Sequence, residues 1–307
     1  MPLKNKHLLG LENISKTEIE EIFSAAKSMK EILQRQLKKV PTLQGYTIAN
    51  LFFENSTRTR ISFDIAARRL SADVINFTAS GSSMSKGETL KDTAKNIEAM
   101  KIDAVIVRHK VAGVPKFLSE VLKVKVINAG DGAHEHPTQG LLDAFTLKEK
   151  YGDLKKIRIC LVGDIFHSRV ARSNIFCLKT LGATVSVCGP STLLPREIES
   201  LGVKYYYNVD EALKNSDAIN VLRIQQERME SDRFPTLREY HQLYGITSER
   251  ISKLKNKITV LHPGPINRDV EISADIADGE DSVILNQVEN GVAIRMAVLY
   301  LICTNKN

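Results

Sequence analysis

Short apolar runs alternate with stretches of helical spacing along most of the chain. Apolar runs near 47–53, 73–77, 103–107 and 124–127 predict one series of strands. A second series is predicted at 157–163, 183–189, 203–207, 217–222 and 257–262. Strands alternating with helices are the signature of parallel α/β architecture. Leu11 to Lys39 reads as a helix-rich opening, with Ser15 and Glu18 at capping-box spacing and apolar Ile19, Ile22, Phe23 and Ala26 on one face. The first series gives out around Gly130–His136, and a helical stretch from Thr138 to Tyr151 leads into the second. The expectation is two doubly wound parallel-sheet domains joined by helices. The apolar tail, Gln287 to Cys303, predicts a buried closing helix whose domain periodicity alone does not decide.

At 307 residues the chain exceeds the size at which one core stops growing, which agrees with two domains. No stretch approaches the roughly 20 apolar residues of a membrane span, and the opening residues lack a signal-peptide pattern. A cytoplasmic protein without membrane partners is expected. Cys160, Cys177, Cys188 and Cys303 form no CxxC pair and are expected as small buried hydrophobes. The net charge of +7 admits a lysine-rich solvated surface or a field that draws in anions. Tryptophan is absent and no basic run is interleaved with aromatics, so nucleic acid is not an expected partner.

The densest chemical signal lies in residues 47–70. An apolar strand ends at Glu54-Asn55, and a helix starts within Ser56-Thr57-Arg58-Thr59-Arg60. A helix N-terminus presents unpaired N–H groups and the positive end of the macrodipole to an anion. Three hydroxyls and two guanidiniums there make a phosphate site a better reading than an ordinary N-cap. Arg58 and Arg60, two residues apart, do not share a helix face, so Arg58 is the candidate and Arg60 is read as structural. The loop Gly81–Glu88 has Ser85 and Glu88 at capping-box spacing, which predicts Lys86 in a first helical turn. A lysine there opposes the dipole, so Lys86 is either a ligand group or an exposed loop residue.

Arg108 follows the strand near 103–107, and His134, His136 and Gln139 lie in or beside a glycine-rich loop before the next helix. The histidine spacing matches no zinc signature, so no metal is expected, and His136 or Gln139 suits a carbonyl instead. In the second half, Gly163-Asp164 leads to Arg169 at a strand-to-helix turn without the glycine fingerprint of a dinucleotide site. Arg223 and Gln225 follow another strand, and His262-Pro263-Gly264-Pro265 ends a third in a rigid turn that exposes carbonyls. Each candidate follows a strand C-terminus, where open α/β sheets bind ligands. Two arginines without an obvious neighbouring carboxylate predict an acceptor with more than one carboxylate.

At STRTR, HPTQGLLDAFT and VLHPGPINRDVEI the sequence resembles the aspartate carbamoyltransferases, and the likeness runs end to end. The resemblance implies a carbamoyl-phosphate domain at 1–137 plus 286–307 and an aspartate domain at 138–285. It also implies homotrimers with shared active sites and no cofactor, with a regulatory chain or a dihydroorotase as possible partners. By similarity the phosphate lies on Ser56, Thr57, Arg58, Thr59 and Arg108, with Ser82 and Lys86 reaching in from a neighbouring chain. The carbonyl oxygen meets Thr59, Arg108 and His136, while Gln139 and the backbone around Gly264 and Pro265 meet the carbamoyl amine. Aspartate lies on Arg169, Arg223 and Gln225, with Lys86 near. Gly264 stands where some members carry a larger residue. The rival resemblance, to ornithine carbamoyltransferases, implies a cysteine in that last turn, and the turn here has none. A non-catalytic binder of phosphate or polyanions is the reading from another class; it would bind with steep salt dependence and turn over nothing.

Overall fold

The computed structural model describes residues 5–78, 87–224 and 236–305. They form two compact units, Met1–Leu142 with Glu289–Asn307, and Asp143–Val288.

The first unit opens with α1 (Lys16–Leu33), held at its start by the expected capping box. Glu18 N–H donates to Ser15 Oγ at 3.2 Å, and Ser15 N–H donates to Glu18 Oε2 at 3.1 Å. The helix buries Ile19, Ile22, Phe23 and Ala26 and ends at Leu33, within the expected helix-rich opening. Then follow β1 (Thr47–Phe52), α2 (Thr57–Arg69), β2 (Asp73–Thr78), α3 (Leu90–Ala99), β3 (Ala104–His109), α4 (Val114–Val121), β4 (Lys125–Asp131) and α5 (Pro137–Tyr151). The four strands are all parallel in the order β2-β1-β3-β4. One core cluster packs Leu51, Val105, Val107 and Val126 against Ile97, Leu118 and Leu122. Each such aliphatic side chain contributes about 1.5–3 kcal/mol on burial.

The expected helix start at Ser85 lies outside the described residues, which resume shortly before α3. The helix is capped by Thr89, whose hydroxyl accepts from Asp92 N–H at 3.2 Å, and Glu88 instead accepts from Thr93 and Asn96. Ser82, Ser85 and Lys86 lie outside the described residues. Before α1 the chain runs beside β4: Leu8 N–H donates to Val126 O at 3.0 Å, and Asn128 N–H to Leu8 O at 2.8 Å. Val126 N–H donates to His7 Nδ1 at 3.0 Å. Burial, with Lys6 and Lys125 nearby, lowers the His7 pKa to about 4, which keeps that acceptor nitrogen unprotonated.

The second unit contains β5 (Arg158–Val162), α6 (Arg169–Thr180), β6 (Thr184–Cys188), β7 (Lys204–Tyr206), α7 (Val209–Lys214), β8 (Ala218–Val221), α8 (Leu237–Tyr244), α9 (Ser248–Ser252), β9 (Thr259–Leu261) and α10 (Ala274–Ala277). Its parallel sheet has the order β7-β6-β5-β8-β9. After Val162 the chain turns sharply at Gly163, with φ +131°, where a Cβ would sit 3.1 Å from Leu222 O. The backbone conformation and the lack of room both call for glycine. The last helix, α11 (Ile284–Thr304), matches the expected closing helix. All four cysteines are buried, and burial pushes the Cys160 and Cys303 thiols up to about 12. Among the described residues no helix is long and apolar enough to cross a membrane.

Candidate active site

Both sheets are wound outward in two directions from a central strand. In the first, the chain passes from β1 to β2 on one side and then to β3 on the other, so the order reverses between β1 and β3. In the second, the reversal lies between β5 and β8. The crevice outside the strand ends at such a switch point is where open α/β sheets bind ligands. The residues that follow β1 are Phe53–Ser56, and Arg108 lies near the end of β3. Arg169 follows the turn after β5, and Arg223 lies just beyond β8. Each unit therefore gathers its candidate cations at its own switch point.

In the first unit Ser56 is the N-cap of α2, extended at φ −160° and ψ 101°, and its side chain makes no capping bond. The N–H groups of the first turn are thus left to other acceptors, the condition for an anion site. Thr57 and Arg58 are exposed there, and Thr59 is buried. Arg60 lies on another side of the helix, beside Ile61, Asp64, Arg68 and Asn76, in keeping with its structural reading. Arg295 of α11 holds α2 in place: its Nη1 donates to Ser62 Oγ at 2.8 Å, and its guanidinium lies 5.2 Å from the centre of the Phe63 ring.

Arg108 lies within β3, which continues one residue past it, instead of just beyond the strand as expected. Its Nε lies 2.7 Å from Glu54 Oε1, and its Nη1 donates to Thr59 Oγ1 at 3.4 Å and to Ala129 O at 3.3 Å. The guanidinium is therefore aimed at the α2 N-terminus by groups from β4 and the loop after β1. His136 immediately precedes α5 and Gln139 lies in its first turn; both are buried.

Two carboxylates that the sequence reading did not single out shape the loop carrying His136. Glu135 accepts from Leu11 N–H at 2.9 and 2.8 Å and from Glu12 N–H at 3.3 Å. Asp131 accepts from Gly113 N–H at 2.7 Å, Asn128 Nδ2 at 2.8 Å, Glu135 N–H at 3.2 Å and His134 Nδ1 at 3.1 Å. Burial alone would raise the Asp131 pKa, and the His134, Gly113 and Asn128 bonds more than offset it, so the carboxyl lies below its usual value. A lowered folded pKa stabilises the fold above the unfolded value of about 3.9, and that stabilisation is lost as pH falls through the folded value. Asp131→Asn is expected to lose about 1–3 kcal/mol at neutral pH, because its NH2 replaces an acceptor among donors. Its urea stability should also depend less on pH below about 4. Equal pH dependence in variant and wild type would contradict this role.

In the second unit Arg169 is the first residue of α6 and is buried, behind Ser168, whose hydroxyl accepts from Ala171 N–H at 3.1 Å. The turn before it is braced by Asp164, which accepts from His167 N–H at 3.0 Å and from His167 Nδ1 at 3.0 and 3.1 Å. Asp164 is buried and faces a histidine of its own loop. Arg223 is half-buried, and Gln225 lies outside the described residues. At the last turn Gly264 N–H donates to His262 Nδ1 at 2.8 Å, Gly264 has φ +65°, and the Gly264–Pro265 peptide is cis. Among the described residues no three His, Cys, Asp or Glu side chains form a metal ligand set.

Comparison with known proteins agrees with this arrangement. Residues 6–149 match the carbamoyl-P binding domain of the aspartate/ornithine carbamoyltransferases, and residues 155–302 match the family's Asp/Orn binding domain. The aspartate carbamoyltransferase catalytic subunit of Cytophaga hutchinsonii is 56% identical over 304 residues, covering 99% of each chain. An aspartate transcarbamoylase of Trypanosoma cruzi, solved with carbamoyl phosphate and aspartate, superposes with a TM-score of 0.88 at 30% identity, covering 97% of each chain. An ornithine carbamoyltransferase of Pyrococcus furiosus superposes almost equally well, with a TM-score of 0.87 at 28% identity over 100% of each chain. With both domains matched in order and a relative this close over its full length, the chain belongs to the aspartate/ornithine carbamoyltransferase family.

Proposed function

We propose that this chain transfers the carbamoyl group of carbamoyl phosphate to the amine of L-aspartate, forming N-carbamoyl-L-aspartate and phosphate, a step of pyrimidine biosynthesis. The observation that carries the reading is the placement of hydroxyls, an open helix N-terminus and Arg108 at one switch point, with Arg169 and Arg223 at the other. The fold alone does not choose the acceptor. The choice rests on the near full-length likeness to aspartate carbamoyltransferase catalytic subunits, on Arg169 and Arg223 as partners for two carboxylates, and on a last turn without cysteine.

In this scheme Ser56, Thr57, Arg58, Thr59 and Arg108 hold the phosphate, with Ser82 and Lys86 of a neighbouring chain. Gln139 and the backbone of the Pro263–Pro265 turn hold the carbamoyl amine. Arg169, Arg223 and Gln225 hold aspartate, with Lys86 beside them. The amine lone pair forms a bond to the carbamoyl carbon, and Thr59, Arg108 and His136 stabilise the tetrahedral oxyanion through preorganised donors. The bond to the phosphate oxygen then breaks, and the departing phosphate takes the amine proton while Arg58 and Lys86 neutralise its charge.

The neighbour's contribution requires an oligomer, which by the family resemblance is a homotrimer. Support comes from Ile61 and Ile65 on α2 and Ile75 on the edge strand β2, which are 50%, 37% and 40% exposed. Four free buried cysteines accord with a reducing, cytoplasmic setting.

The test is product formation from carbamoyl phosphate with L-aspartate, L-ornithine or no acceptor. Carbamoyl-aspartate with matching phosphate release, from aspartate alone, is expected. Citrulline from ornithine would overturn the acceptor assignment, and silence with both acceptors would overturn the reaction.

A further inference from the structure

The second unit contains a chain of buried polar groups that the reaction scheme leaves unused. It starts at Asp143, whose carboxylate accepts from Asn174 Nδ2 at 2.7 Å, Asn220 Nδ2 at 2.9 Å and Gln287 Nε2 at 2.7 Å. Gln287 Oε1 in turn accepts from His262 N–H at 2.9 Å. Because Gly264 N–H donates to His262 Nδ1, the histidine carries its proton on Nε2 and directs it at Glu271 Oε1, 3.1 Å away. The same oxygen accepts from Asn267 N–H at 2.6 Å, and Asn267 Nδ2 donates to Ile224 O at 3.2 Å. His262 and Glu271 side chains are fully buried.

The geometry is that of a brace around one turn. His262 begins the Pro263–Pro265 segment and Asn267 follows it, and Glu271 holds both through a single oxygen. Buried donors left without that acceptor would seek others, and the turn between them would lose its fixed shape. We infer that Glu271 is a positioning residue: by tying His262 to Asn267 it fixes the Pro263–Pro265 carbonyls where they receive the amine of carbamoyl phosphate. The inference rests on the role given to this turn under the proposed function.

Acetyl phosphate, which has a methyl group in place of that amine, separates amine recognition from phosphate binding. Dissociation constants of carbamoyl phosphate and acetyl phosphate, measured by calorimetry on wild type, Glu271→Met, Glu271→Asp and Glu271→Gln, test the role. Wild type is expected to prefer carbamoyl phosphate. Glu271→Met removes the acceptor and should weaken carbamoyl phosphate about tenfold while leaving acetyl phosphate unchanged. Glu271→Gln keeps an acceptor oxygen in place and should remain within about twofold of wild type. Glu271→Asp, which draws the carboxylate back by one methylene, should lose preference in the same direction and serves if the methionine variant does not fold.

A wild type that binds both ligands equally would remove the turn's role in amine recognition altogether. A wild type that distinguishes them, with folded variants that keep the full distinction or weaken both ligands alike, would overturn the role of Glu271 alone.

Discussion

Replacing Arg58 with alanine is expected to lower kcat by at least about 10²–10³, the usual cost of removing one donor aimed at transition-state charge. Arg58 projects from the exposed first turn of α2, where the Ser56 side chain makes no capping bond. In the proposed reaction the phosphate leaves with growing negative charge, and a guanidinium beside the helix N-terminus would stabilise that charge more than it stabilises the bound substrate. Exposed substitutions away from packed features change stability by only about 0.5 kcal/mol, so the melting temperature should hold while the rate collapses. Near wild-type turnover in the variant would overturn the phosphate assignment. The same variant tests site sharing. Mixed with Lys86→Ala chains after dissociation and reassembly, it should recover activity, because some sites then receive Arg58 from one chain and Lys86 from another. No recovery would argue against sharing.

Arg169→Leu is expected to raise the KM for aspartate about 10²-fold, since truncating one partner of a buried charge pair costs about 2–5 kcal/mol. Arg169 is 5% exposed at the first position of α6, where a cation opposes the helix dipole. Neither burial nor the helix dipole favours a cation at that position. Inhibition by inorganic phosphate should be unaffected. Arg169→Lys should recover only part of the loss, because an ammonium does not reproduce the planar fork that grips a carboxylate. An unchanged KM for aspartate in Arg169→Leu would contradict the assignment.

The strands were legible because parallel strands buried on both faces are written as continuous apolar runs. Runs such as 157–163 and 183–189 contain β5 and β6 with only end residues trimmed. Helix limits were less legible. The cap of α3 is Thr89, one residue beyond the Glu88 that the spacing offered as a capping-box partner. The cations that follow strand ends announced themselves, because charge at such a point is unusual. The carboxylates that hold them did not. Glu54 pairs with Arg108, and Asp131, Asp164 and Glu271 brace loops through contacts made by the folded chain. Two of the buried acids left a trace. Asp143 interrupts the apolar stretch Leu141–Phe145, and Glu271 lies between Val270 and Ile272. A lone acid among apolar neighbours is expensive to bury without partners, and that cost is a signal of an internal network.

The strap from Leu11 and Glu12 to Glu135 also bears on the order of events during synthesis. Leu11 meets its partner 124 positions later. At about 5–20 residues per second, the opening segment waits roughly 6–25 s for that carboxylate to be translated. The wait for Arg295, which secures α2 through Ser62, is longer still, since the whole of Asp143–Val288 is made first. The second unit is continuous and has its full sequence before the first does. The first unit therefore completes its fold after the second has its full sequence, and the N-terminus of α2 reaches its final setting only once Arg295 has been made.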